Sequence, residues 1–303
     1  MDDMLDRLGE QLAQNRKAGV VTGLALSAIA DEAEAIAVQQ TALDAYDSDF
    51  KGYALVGTTD VTRRTLGLRE PIYAPIPRKA FHEELAAYTL PAGMIGAQCE
   101  LALTLGRTFP APGEAIGMEA AADAVVACQP AIGLLGRRTK PAGDAHLTAI
   151  ADFGLHVATI CGASTRHLDP LATATLSVRA TIDGNAVAKA DPAASDEHPL
   201  LALAWLARQL RMRRAALSAG DIVTLGSFTP MLQVLPGQGL TVAFAGFGTV
   251  SCEFRQAPAT GMLLSRSWLD RPVCRSSACC TVKRPRTVDA APAIRHGGVR
   301  PRL

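Results

Sequence analysis

One change of pattern along the chain constrains its fold more than any bulk property. Helical spacing in the first part gives way, from about residue 95, to strands punctuated by turn residues. Leu5, Leu8 and Leu12 recur at steps of three and four, and Ile29, Ala33, Ile36, Val38 and Leu43 sketch a second amphipathic helix that Ser27 could cap. Thr58 or Thr59 opens a short helix over 60–66, and Gly67 stops it. Further on, 101–105 and 155–161 each run into a glycine, while 173–182 alternates up to Asp183-Gly184 and 186–190 returns. An Asp-Gly pair between such runs is a strong hairpin signal. A second hairpin is expected where 240–245 and 249–254 flank Gly246-Phe247-Gly248. One helix interrupts the strands: Asp196 or Glu197 caps it, Pro199 falls in its first turn, and Leu200, Leu203, Leu206 and Leu210 form its buried face. Arg211, Arg213 and Arg214 complement the dipole at its end. Helices first and strands later, without βαβ alternation, predict an α+β fold.

With 303 residues, 49% hydrophobic, the chain can bury a full core, and disorder or coiled coil is excluded as a whole-chain description. The formal charge of +1 hides an uneven distribution. Residues 257–303 hold nine Arg/Lys against two Asp/Glu, whereas the first 256 hold 21 against 27. The end of the chain has no sustained period and is read as a basic, disordered tail. It lacks the aromatic interleaving and second basic patch of a nucleic-acid site, so no nucleic-acid partner is expected. The acidic start Met1-Asp2-Asp3 is not a targeting signal, and no uncharged run reads as a membrane span, so a cytoplasmic location with no membrane partner is expected. Seven cysteines without CxxC spacing suggest neither a zinc knuckle nor a disulfide framework; Cys128, Cys161 and Cys252 sit in apolar runs as buried thiols.

A set of short segments, in order from about residue 5 to 255, resembles the 2-keto-4-pentenoate hydratase group of the fumarylacetoacetate hydrolase superfamily. They are Ala35-Ile36-Ala37-Val38-Gln39, Gly52-Tyr53 followed by Thr58, Leu66-Gly67 with Pro71, Glu100-Leu101-Ala102-Leu103, Pro130-Ala131-Ile132 and Ala151-Asp152. The series continues with His198-Pro199-Leu200, Trp205-Leu206-Ala207-Arg208, Gly220-Asp221-Ile222 and Gly246-Phe247-Gly248-Thr249-Val250. The resemblance implies a mixed β-roll core behind a small helical N-terminal region. It also implies a lyase that binds a 2-oxo or 2-hydroxydienoate acid through Mg²⁺ or Mn²⁺, with a lysine and neighbouring polar groups managing protons.

The residues that would do this are largely replaced. The family's lysine falls on Ala54, its Glu-x-Glu pair on Gln98 and Glu100, and its third carboxylate on Gly133. Asp152 is kept as a catalytic candidate or as a residue that holds a loop by accepting backbone N–H bonds, but Phe153 and Leu155 stand where an amide and a hydroxyl are expected. Thr224-Leu225 reverses the usual order, moving the hydroxyl across a period-two strand unless a bulge compensates. Glu100 and Gln98 are thus the candidate metal ligands, with Glu100 alternatively a plain strand carboxylate. Ser227 and Thr229 are candidate substrate-binding hydroxyls or turn formers.

Among other polar residues, His82-Glu83-Glu84 is read as a Pro-flanked loop whose side chains point apart, and His156 as a core histidine. His198 is read as a capping residue, and Arg137 and Arg138 as a solvated pair that could meet a substrate carboxylate. The expected organisation is a helical region over 1–75, a β-roll core over 76–255 and the basic tail over 256–303. The expected function is a hydratase-like lyase of aromatic meta-cleavage catabolism with a weakened metal site, associating as a homo-oligomer. A non-catalytic homologue and a 2-oxo acid decarboxylase are the alternatives.

Overall fold

The computed structural model describes residues 2–46, 49–166, 169–191 and 198–257. The tail expected over 256–303 lies outside these except for Gln256 and Ala257, as do the capping candidates Asp196 and Glu197.

Helix α1 (Asp2–Ala18) buries the predicted stripe of Leu5, Leu8 and Leu12 against Ala35, Val38, Ala42 and Leu43 of α2 (Glu32–Tyr46). The crossing is close because residue 9 is glycine: a Cβ there would meet Thr41 Cβ at 2.7 Å and the Val38 carbonyl at 2.8 Å. Ser27 does not cap α2, because it sits in a separate 3-10 turn, Leu26–Ala28. Asp31 does, accepting from the Glu34 N–H at 2.9 Å, while Glu34 reaches back to accept from the Ala30 N–H at 2.8 Å. After β1 (Phe50–Val56), α3 (Asp60–Leu66) starts on Thr59, whose hydroxyl accepts from the Thr62 N–H, and stops at a left-handed Gly67.

The strands that follow are β2 (Ile72–Pro77), β3 (Phe81–Glu83), β4 (Ala87–Leu90) and the long β5 (Met94–Leu105). Helix α4 (Met118–Ala124) leads into β6 (Val125–Gly136), and α5 (Ala145–Ala151) into β7 (His156–Cys161). The run 173–182 is strand only from Val178. Before that, Asp169 caps a 3-10 stretch, Pro170–Thr175, because Asp-Pro favours a helical start over a strand. The Asp183-Gly184 hairpin joins β8 (Val178–Ile182) and β9 (Asn185–Ala190). In α6 (Leu200–Met212) the predicted leucines are buried, and the Leu200 N–H donates to His198 Nδ1 at 3.1 Å, so His198 takes the capping role. The chain closes with β10 (Ile222–Ser227) and the second predicted hairpin, β11 (Gly239–Phe244) with β12 (Gly248–Gln256).

These strands form two mixed sheets in an α+β architecture. One has seven strands in the order β2-β1-β10-β5-β6-β7-β3, the other five in the order β4-β12-β11-β8-β9. His82 and Glu83 belong to the first, in β3 paired parallel with β7, so the expected loop there is a short edge strand. The alternation of β5 divides its residues sharply. Cys99, Leu101, Leu103 and Leu105 enter the main core with Leu200, Leu203, Leu240 and Phe254. Gln98, Glu100 and Ala102 point to the opposite face, whose apolar contacts are the small group Ala102, Ala131, Cys161 and Ile222 beside Phe81. Both faces of the strand are buried.

Candidate functional site

The second face of β5 gathers polar side chains onto a floor of small residues. Register sets Gln98 opposite Gly133, and Glu100 between Ala131 of β6 and Ser227 of β10. Thr159 and Cys161 of β7 lie beyond Gly133 and Ala131, and Thr224 lies beside Ala102. The bulge that could offset the Thr224-Leu225 reversal is present: the β10–β5 register slips between Thr224 and Ser227, at Gly226 with φ 79°. Thr224, in regular register with Ala102 before the bulge, has its hydroxyl beside the Glu100 carboxyl.

Glu100 fills space that a side chain at 133 would need. A Cβ on Gly133 would stand 2.5 Å from both Cδ and Oε1 of Glu100, so the carboxyl lies directly over the glycine. Burial, with Glu100 only 2% exposed, pushes its pKa up to about 8, and the neighbouring Thr224 hydroxyl offsets this only in part. Four buried polar atoms here have no hydrogen-bond partner among the described residues: both amide atoms of Gln98, Oε2 of Glu100 and Oγ1 of Thr224. Such atoms cost roughly 1–3 kcal/mol each when left unpaired, so their convergence marks a place that water or a ligand would satisfy.

The other candidates are placed differently. Ser227 is next to Glu100 in register, but its Oγ accepts from the Cys99 N–H at 3.2 Å. Thr229 donates to the Pro230 carbonyl at 3.1 Å. Asp152, at the end of α5, has both carboxylate oxygens engaged by Arg138: Oδ1 accepts from Nε at 2.6 Å and Oδ2 from the backbone N–H at 2.8 Å. Arg138 also donates to the carbonyls of Asp152 and His156, so the pair clamps the turn between α5 and β7. The solvated pair expected at Arg137 and Arg138 is therefore corrected at Arg138, which is 4% exposed. His156 is the core histidine expected of it. Its Nε2 meets Thr159 Oγ1 at 3.0 Å and its Nδ1 faces Arg16 at 3.4 Å, and burial together with Arg16 and Arg138 holds it neutral.

Cys99, Cys128, Cys161 and Cys252 are free and buried, and desolvation pushes all four thiols up, so none is an activated nucleophile. Sequence reasoning did not single out the one arrangement of three metal-ligating types found among the described residues, Glu32, Glu70 and His146. Three separate segments supply it, and no local spacing announces it.

No protein-family profile matches the chain. A 4-oxalocrotonate decarboxylase from Pseudomonas putida is 29% identical over 158 residues, 52% of this chain and 59% of that protein, so the match spans little more than half of this relative. A 2-keto-4-pentenoate hydratase from Paraburkholderia xenovorans (strain LB400) is 27% identical over 215 residues, 68% of this chain and 76% of that protein. Among solved structures, 4-oxalocrotonate decarboxylase from Pseudomonas putida G7, complexed with magnesium and adipate, superposes with a TM-score of 0.72 at 21% identity, covering 84% of this chain and 98% of that one. A fumarylpyruvate hydrolase from Pseudomonas aeruginosa, in complex with Mn²⁺ and pyruvate, gives 0.51 at 15% identity, over 68% and 89%. The two mixed sheets with their helices share the fold of these solved structures. Its sequence relatives at 27% identity include proteins named 2-keto-4-pentenoate hydratase. No helix among the described residues is long and apolar enough to cross a membrane.

Proposed function

We propose that this chain is a hydratase-like lyase of aromatic meta-cleavage catabolism, acting on a small 2-oxo or 2-hydroxydienoate acid, with a weakened divalent-metal site at Gln98 and Glu100. The observation that carries the proposal is the set of four buried, unpartnered polar atoms on Gln98, Glu100 and Thr224, at and beside the positions the family uses. Amide, carboxyl and hydroxyl oxygens suit a hard cation in kind. They do not suit it in charge. Gln98 is neutral, Gly133 offers nothing, and Glu100 is a neutral acid below about pH 8. The donor set does not fit a resident Mg²⁺ or Mn²⁺ at neutral pH.

What these side chains can do is hold and orient. Protonated Glu100 carries a proton at a hydrogen-bond-free Oε2, suited to exchange with the enol or keto form of a 2-oxo acid. The Gln98 amide can donate to an acid oxygen, and Ser227 and Thr229 stand as substrate-binding hydroxyls. Asp152 acts through the Arg138 clamp rather than on substrate. The acid substrate is the proposed small-molecule partner, and self-association into a homo-oligomer belongs to the same proposal.

A second reading, a non-catalytic homologue, is favoured by the closure of this face: Gln98 and Thr224 are fully buried. A decarboxylase of the same fold is the nearest enzymatic alternative. Purified protein is assayed with 2-hydroxypenta-2,4-dienoate and Mg²⁺ or Mn²⁺, alongside calorimetric titration with oxalate, which mimics the chelating edge of a 2-oxo acid. Slow turnover abolished by Glu100→Ala is expected. Turnover at ordinary enzyme rates, about 1–1,000 per second, would refute the weakened site. No turnover together with no oxalate binding selects the non-catalytic homologue.

A further inference from the structure

Away from the β5 face, Glu32, Glu70 and His146 meet at a cavity of about 60 Å³ that is also lined by Tyr73, Trp205 and Arg213. Glu32 is the first residue of α2, Glu70 precedes β2, and His146 lies in the first turn of α5. One ligand atom from each of the three lies within 4.8 Å of the others. Atoms bound to a common ion at about 2.0–2.2 Å stand at most about 4.4 Å apart. Both carboxylates are exposed and can turn inward by that small difference.

A second observation points to a ligand. His146 is 2% exposed, yet its Nδ1 has no hydrogen-bond partner among the described residues. Nδ1 is sealed, and Nε2 stands 3.9 Å from Glu70 Oε1, beyond hydrogen-bond reach. Arg213 supplies the outer support that ligating carboxylates commonly have: it donates to Glu32 Oε1 at 3.2 Å and also to the Tyr73 hydroxyl.

We propose that Glu32, Glu70 and His146 form a binding site for a borderline divalent cation of the Zn²⁺ or Mn²⁺ kind, distinct from the Gln98–Glu100 strand. One imidazole and two carboxylates leave room for water at the fourth position and favour such an ion over Mg²⁺, which takes oxygen alone. The ion would clip α2 and α5 to the segment entering β2, so its binding raises the unfolding temperature.

The full chain, stripped with a chelator, is titrated with Zn²⁺ and separately with Mg²⁺, and the titration is repeated for Glu70→Gln, Glu32→Gln and His146→Gln. One Zn²⁺ should bind at least tenfold more tightly than Mg²⁺. Each exposed-carboxylate variant should weaken Zn²⁺ at least tenfold with its apo stability unchanged. The decision rests on these two variants, because replacing the buried His146 can disturb folding by itself. The chain also carries Cys274, Cys279 and Cys280, so Co²⁺ is used as a spectroscopic probe. The Co²⁺ lost in Glu70→Gln should show no thiolate charge-transfer band. Absence of Zn²⁺ binding, unchanged affinity in both carboxylate variants, or a thiolate band for that ion overturns the site. Activity toward 2-oxo acids does not enter the readout, so failure here is separate from failure of the lyase proposal.

Discussion

Replacing Glu100 by glutamine keeps the shape of the side chain and removes its titration. In the folded chain burial raises this carboxyl from 4.5 to about 8. A raised acid pKa means that the folded state holds a proton the unfolded state has lost. The stability linked to that proton is complete below pH 4.5 and drains away as the pH rises through 8. A tenfold change in proton affinity between the folded and unfolded chain corresponds to about 1.4 kcal/mol, so between pH 5 and pH 8 the native protein should lose at most on the order of 4 kcal/mol that Glu100→Gln keeps. Urea unfolding of both proteins at half-unit pH steps, with the slopes compared at each pH, reads the difference directly. The curves should lie within about 1 kcal/mol at pH 5, with the variant the more stable by several kcal/mol at pH 8. Adding Mn²⁺ at pH 8 should recover part of the native loss if the ionised carboxyl accepts a cation. Parallel pH profiles would refute the reasoning, because they would mean that Glu100 ionises normally and has a partner the geometry does not show.

Two other perturbations follow from the same face and from the clamp beside it. Gly133→Ala places a methyl 2.5 Å from the Glu100 carboxyl, so Glu100 must swing aside at a cost of about 1–3 kcal/mol. In a Glu100→Ala background most of that cost should vanish, a coupling that a double-mutant cycle in urea measures. Arg138→Ala strands the Asp152 carboxylate, whose side chain is 2% exposed, and should cost about 3–5 kcal/mol in the same unfolding assay.

Local signals in the chain carried much of the fold. The leucine spacing of α1 and α6, Thr59 and Gly67 around α3, and both glycine hairpins appear where the sequence puts them, because capping, turn conformation and periodicity act over a few residues. Local competition explains the misses. Asp31 with Glu34 displaces Ser27 as a cap, and Asp169-Pro170 turns the start of an apparent strand into a 3-10 stretch.

What the sequence determined by itself was the α+β class and the family-like order of segments, with Glu100 as a candidate carboxylate. Tertiary structure alone decided what that carboxylate is. Strand register brings Gln98 opposite Gly133 and Thr224 opposite Ala102 on the same face, and the bulge after Thr224 brings Ser227 opposite Glu100. The empty side chain at 133 then lets Glu100 lie down over the sheet, where desolvation keeps it protonated. Asp152 was legible as a loop-holding residue but its Arg138 partner was not, and Glu32, Glu70 and His146 meet from positions 38 and 76 residues apart. Such properties depend on what surrounds a group in space, and neighbours across a sheet or between helices leave no mark at any fixed distance along the chain.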